Sequence, residues 1–198
     1  KLTLPGLVVL GVGLRVLMSP EVALAPWPYT RILVSAGKIF HGPGLALLHP
    51  ERVWLSETIL HSTLIYAALA PLAIYAHARY LLDDQRAAIL AAAVVTVLPL
   101  HLRFSHSDAA FIPSITVSSV AFALVHAATR ERSALGGWLA VALIGFPVAL
   151  MYQVRPLNIM YFPLLLATAF VNQGVHSDKA PAQRARVIAA FLILSVVT

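Results

Sequence analysis

Between residues 98 and 113 the chain reads LPLHLRFSHSDAAFIP, and His101, Arg103, His106 and Asp108 crowd together where a proline interrupts an apolar run. An aspartate of this kind can take a proton as general base. An arginine can pair with a phosphate or carboxylate, and imidazoles can carry protons or bind metals. Elsewhere Glu57 and His61 stand four residues apart, so on a helix they share a face and could form a carboxylate–imidazole metal pair. Glu21 and Arg155 are further ionisable groups beside apolar runs. Each has a plainer alternative. Glu57 suits the first turn of a helix, and His61 could bond a backbone carbonyl. Arg103 could snorkel to lipid headgroups, and Ser107 and Asp108 stand where an N-cap belongs. Asp83 and Asp84 read as a solvated turn.

The segments that must position these groups are apolar. Of 198 residues, 60% are hydrophobic and 11% charged, and the mean hydropathy is +0.84. A soluble domain is nearer a quarter charged, so the composition predicts an all-α, polytopic transmembrane helix bundle. Apolar runs fall at 2–18, 59–80, 87–102, 109–129, 135–152, 157–171 and from 187 onward, giving about six to seven spans. β-branched and small residues fill them without period-two alternation, which argues against a barrel. The whole of 1–198 reads as one transmembrane domain. It starts at Lys1 and stops inside an apolar run, so it reads as the N-terminal fragment of a longer chain. The first run lacks a small-residue cleavage site and reads as a membrane helix, not a removed signal.

The net charge of +6 is spread over the connecting segments. That excludes a basic nucleic-acid face and fits loops near lipid headgroups. With Lys1 inside, the inner segments hold Lys1, Arg79, Arg86, Arg130, Arg132, Lys179, Arg184 and Arg186. The outer ones hold Arg15, Arg31, Lys38, Arg52, Arg103 and Arg155. The excess favours this orientation and puts Glu21, Glu57, His61, Asp108 and Arg155 on one outer side. Residues 19–56, with Trp27, Tyr29, Phe40 and Trp54, read as an extracytoplasmic amphipathic loop at the interface. Ser114, Thr116, Ser118 and Ser119 suit hydrogen bonds between helices, and GVG at 11–13 suits close helix packing. There are no cysteines, so disulfides, thiolate metal sites and cysteine nucleophiles are excluded. No glycine-rich phosphate loop or dinucleotide fingerprint is present.

The order of these features resembles a known arrangement. A first span ends near an arginine, a long amphipathic loop follows, and HARYLLDDQRAAILAA closes the second span. FSHSD then joins the third and fourth spans, and VRPLNIMYFPLLL opens a later one. Over about residues 1–171 this is similar to the N-terminal half of the membrane-embedded GT-C glycosyltransferases, the group of protein O-mannosyltransferases and aminoarabinose transferases of lipid A. The resemblance implies a multi-pass enzyme of the cell (inner or plasma) membrane. It would move a sugar from a polyprenyl-phosphate donor to an extracytoplasmic lipid, glycan or protein acceptor. It also implies a catalytic carboxylate, here Glu21 or Asp108, and donor-phosphate neutralisation by an arginine or a divalent cation. Arg103, His106, Arg155, Glu57 and His61 are the corresponding substrate-binding candidates. His106 stands where the family carries a basic residue. The chain departs from the family in its first loop, where Trp27 and Pro28 occupy the place of the usual acidic pair. Either Glu21 supplies the carboxylate from a shifted position, or the chain is a divergent member without activity. A transporter or flippase-like permease and a non-catalytic membrane protein are the competing classes.

Overall fold

The computed structural model describes residues 3–18, 56–105, 111–130, 134–154, 156–174 and, with two gaps, 185–193. Side chains at 56–62 and at some helix ends fall outside that description. The described residues are almost all helical, with no strand among them. The helices are α1 Leu4–Met18, α2 Ser56–Leu82, α3 Gln85–Val97, α4 Pro99–Phe104, α5 Phe111–Arg130, α6 Ala134–Val154 and α7 Phe162–Gly174. A 3-10 segment, Pro156–Tyr161, lies between the last two. Two stretches, Thr63–Leu82 and Phe111–Thr129, are long and apolar enough to cross a membrane. The expected loop at 19–56 lies outside the described residues, apart from Ser56 at the start of α2.

Two expected spans differ from the sequence reading. The run 87–102 is two helices because Leu98 precedes a proline and adopts a non-helical ψ of 116°. Pro99 then opens α4 as its first residue. The run at 157–171 begins as a 3-10 turn after Pro156 and becomes α-helical only at Phe162.

α5 is the central helix. It buries Val117, Ala121, Val125 and Ala128 against Val141, Ile144, Val148 and Met151 of α6 and Leu165 and Ala169 of α7. On its other side it meets α2. Thr116 Oγ1 donates to the Tyr66 carbonyl at 2.8 Å, while His77 stacks on Phe122 and lies 6.0 Å from His126. Residue numbers rise together along this contact, so α2 and α5 run parallel. Tyr66 neighbours Ala67, whose carbonyl loses its usual i+4 donor to Pro71 inside α2. The threonine thus bonds the helix where its ladder is weakened. Replacing Thr116 by valine is expected to cost about 0.5–1.5 kcal/mol, read as a lower unfolding midpoint in detergent. Of the four polar residues expected to bridge helices, Thr116 and Ser114 do so. Ser118 bonds back to the Ser114 and Ile115 carbonyls of its own helix.

α3 presents Ala88, Ala92 and Thr96 on one buried stripe, and α2 buries Ala67, Ala70 and Ala73. Small residues let these helices and α1 approach closely. Gly11 is a close point: a Cβ there would lie 3.0 Å from the Arg15 guanidinium and 3.4 Å from the Thr96 methyl. The close packing expected of the GVG stretch therefore belongs to Gly11, since Gly13 has open space beside it. The outward faces are strongly apolar. Val9, Leu17, Leu90, Leu135, Phe146 and Phe170 are all exposed.

The Asp83–Asp84 turn is exposed. Asp83 takes a left-handed φ of 52° and pairs with Arg79 at 2.8 Å. Asp84 caps α3, accepting from the amides of Arg86 and Ala87 at 2.7 and 3.4 Å. Asp84→Ala is expected to speed amide exchange in the first turn of α3 roughly fivefold, with Asp84→Ser restoring protection.

Candidate functional site

A buried polar cluster sits where α1 meets the joint between α3 and α4. Arg15, in the last turn of α1, is 0% exposed, and His101 on α4 is 2% exposed. The guanidinium reaches three acceptors. Nη1 donates to the Gly11 carbonyl at 2.8 Å, and Nη2 contacts the Val95 carbonyl at 3.4 Å and His101 Nδ1 at 2.8 Å. Arginine has only N–H groups to offer, so His101 Nδ1 accepts and the ring proton belongs on Nε2. Arg15 Nε and His101 Nε2 are buried and have no hydrogen-bond partner among the described residues.

Local sequence explains the arrangement. Val95 would normally bond the amide of residue 99, and Pro99 has none. The freed carbonyl faces α1, where Gly11 leaves room for the Arg15 side chain to fold across it. Thr96, fully buried beside it, turns its hydroxyl back to the Ala92 carbonyl at 2.8 Å.

Two further contacts lie towards the same end of the bundle. Phe104 and Phe111 meet edge to face at 5.3 Å and bring the end of α4 beside the start of α5. Asn158, 4% exposed in the 3-10 segment, donates to Ser114 Oγ at 3.0 Å and to the Met151 carbonyl at 2.9 Å. The second bond satisfies one of the last carbonyls of α6. These contacts gather the C-terminal end of α1, the beginning of α5 and the segment after α6.

Among the expected site residues, Arg103 alone has a described side chain. It is exposed, with its guanidinium carbon 5.9 Å from the Phe104 ring centroid. Glu57 and His61 lie in the first two turns of α2, on the same helix face one turn apart. Glu21, His106, Asp108 and Arg155 lie outside the described residues. Their described neighbours belong to the contacts just given: His101 and Phe104 precede Asp108, Ser114 follows it, and Asn158 follows Arg155.

The charge count places Arg15 with the outer segments, at the end of the first apolar run, yet it lies inside the bundle. The sequence signal was available, because Arg15 is a lone charge within an apolar run and such residues are seldom incidental. Its partner could not be read, since His101 is 86 residues away. Among the described residues no group of three or more potential metal ligands occurs. Beside the buried Arg15 guanidinium a metal cation would be repelled. Comparison with protein families, curated proteins and solved structures finds no match to this chain.

Proposed function

We propose that this chain is the N-terminal membrane part of a glycosyltransferase that moves a sugar from a polyprenyl-phosphate donor to an extracytoplasmic acceptor. The observation that carries the reading is the gathering of described contacts at one end of the bundle, Arg15 on His101, Phe104 on Phe111 and Ser114 on Asn158. These are the chain segments that bear the motifs resembling the GT-C enzymes. The apolar outward faces of α1, α3, α6 and α7 support a bundle in a membrane, and the basic excess of the inner segments supports this end facing the extracytoplasmic side.

In this reading the acceptor hydroxyl attacks the anomeric carbon of the donor sugar. Asp108, or Glu21 in the first loop, takes the hydroxyl proton. The bond from the anomeric carbon to the phosphate oxygen breaks, and polyprenyl phosphate leaves with the electron pair. Arg103 and Arg155 neutralise that phosphate, with His106, Glu57 and His61 as further polar contacts to donor or acceptor. The test is a sugar-transfer assay on the full-length protein with polyprenyl-phosphate sugars, comparing wild type with Asp108→Asn and Glu21→Gln. Unchanged turnover in both variants would remove these residues from the chemistry.

A permease is the second reading, favoured by the buried Arg15–His101 pair beside a broken helix. Broken helices and buried ionisable groups are features of transporter sites. In sealed vesicles, donor lipid crossing the bilayer uncleaved would select the permease, and release of polyprenyl phosphate would select the transferase.

A further inference from the structure

We propose that Arg15 is a positioning residue, a brace supplied by one helix to hold the break in another. Its functional consequence rests on the transferase reading above. Pro99 removes the amide that would satisfy the Val95 carbonyl in a continuous helix and leaves a joint between α3 and α4. Arg15 reaches over both sides of the joint at once. One nitrogen contacts Val95 on α3 and His101 on α4, and the other is anchored on Gly11 of its own helix. The planar fork suits this task, because its donors diverge at fixed angles. Among the described residues no carboxylate pairs with Arg15, so the brace is held by neutral acceptors alone. Gly11 is part of the device, since any Cβ there would press on the guanidinium. The brace thereby sets the direction of α4, which leads into the residues before Asp108.

The test uses the chain in lipid nanodiscs. The sequence has no cysteine, so Gln85→Cys and Leu100→Cys place spin labels at two exposed positions on either side of the joint. The labels lie about 20 Å apart at the helical rise per residue. The braced protein is expected to give one narrow distance distribution. Arg15→Met should about double its width, and Arg15→Lys, which keeps the charge without the fork, should fall between. Adding Pro99→Ala to Arg15→Met returns an amide to Val95 and should narrow the distribution again, at a longer distance, because the helix becomes continuous. An unchanged width in both Arg15 variants, or no narrowing on adding Pro99→Ala, would overturn the brace. In the transfer assay, Arg15→Met should lower kcat about 10- to 100-fold while the donor KM moves little. Adding Pro99→Ala should not restore kcat, since it orders the joint in the wrong direction. If the wild type transfers no sugar, the transferase reading fails while the distance measurement still decides the brace.

Discussion

Asp108→Asn is expected to lower sugar transfer by about 100- to 10,000-fold with the protein still folded, because the amide cannot take the acceptor proton. The substitution keeps the size of the side chain and most of its capping ability, since asparagine caps helices about as well as aspartate. That separates the two roles open to Asp108. If it is only the cap before α5, Asp108→Asn should leave both the unfolding midpoint and turnover near wild type, and Asp108→Ala should lower the midpoint. If it is the base, Asp108→Asn should abolish most turnover without moving the midpoint. Glu21→Gln is the parallel measurement. A loss confined to Glu21 would move the chemistry to the first loop, in keeping with the departure at Trp27 and Pro28.

The second large effect is expected at Asn158. Its amide spans the gap between α5 and the last turn of α6, donating to Ser114 Oγ and to the Met151 carbonyl from a nearly sealed position. Asn158→Leu would leave that carbonyl without this donor in an apolar setting, while the new side chain needs space that the amide did not fill. The expected loss is about 1–3 kcal/mol, seen as a lower midpoint in detergent. Ser114→Ala should cost less, because it removes one bond and leaves the cap on α6 in place. Equal losses from the two substitutions would mean that the Ser114 bond, and not the cap on Met151, carries the stabilisation. Since Asn158 stands three residues after Arg155, the same variant should also weaken donor use in the transfer assay.

Much of the helical framework was legible before any coordinates. Helix-forming apolar runs marked α1, α2, α5 and α6 to within a few residues. The LLDDQRA turn fell where expected, with Asp84 taking the further role of cap. The misread spans share one cause, proline. A run of leucine, valine and histidine across Leu98–Pro99 has the hydropathy of a continuous span, yet the missing amide and the restricted residue before it divide it in two. Pro156 likewise gives the next run a 3-10 beginning. Hydropathy averages over such breaks, whereas backbone hydrogen bonding does not.

The site was legible in kind more than in detail. His101 and Arg103 were marked as one cluster, but they face opposite ways: His101 into the bundle, Arg103 out of it. Helical spacing puts them two residues apart and so on different faces, but which face is inside depends on where α1 lies. Arg15 is visible as a charge at the end of an apolar run, and nothing local says what it touches.

The sequence by itself determined the helical class, the apolar outward character, the turns and the positions where proline deprives a carbonyl of its donor. Those follow from interactions within about four residues. Tertiary structure alone decided which distant group replaces the missing donor. Arg15 comes to Val95 across 80 residues. A helix ladder is local and can be read along the chain. The partner of a freed carbonyl is whichever donor packing brings within hydrogen-bond reach, and packing depends on every helix at once.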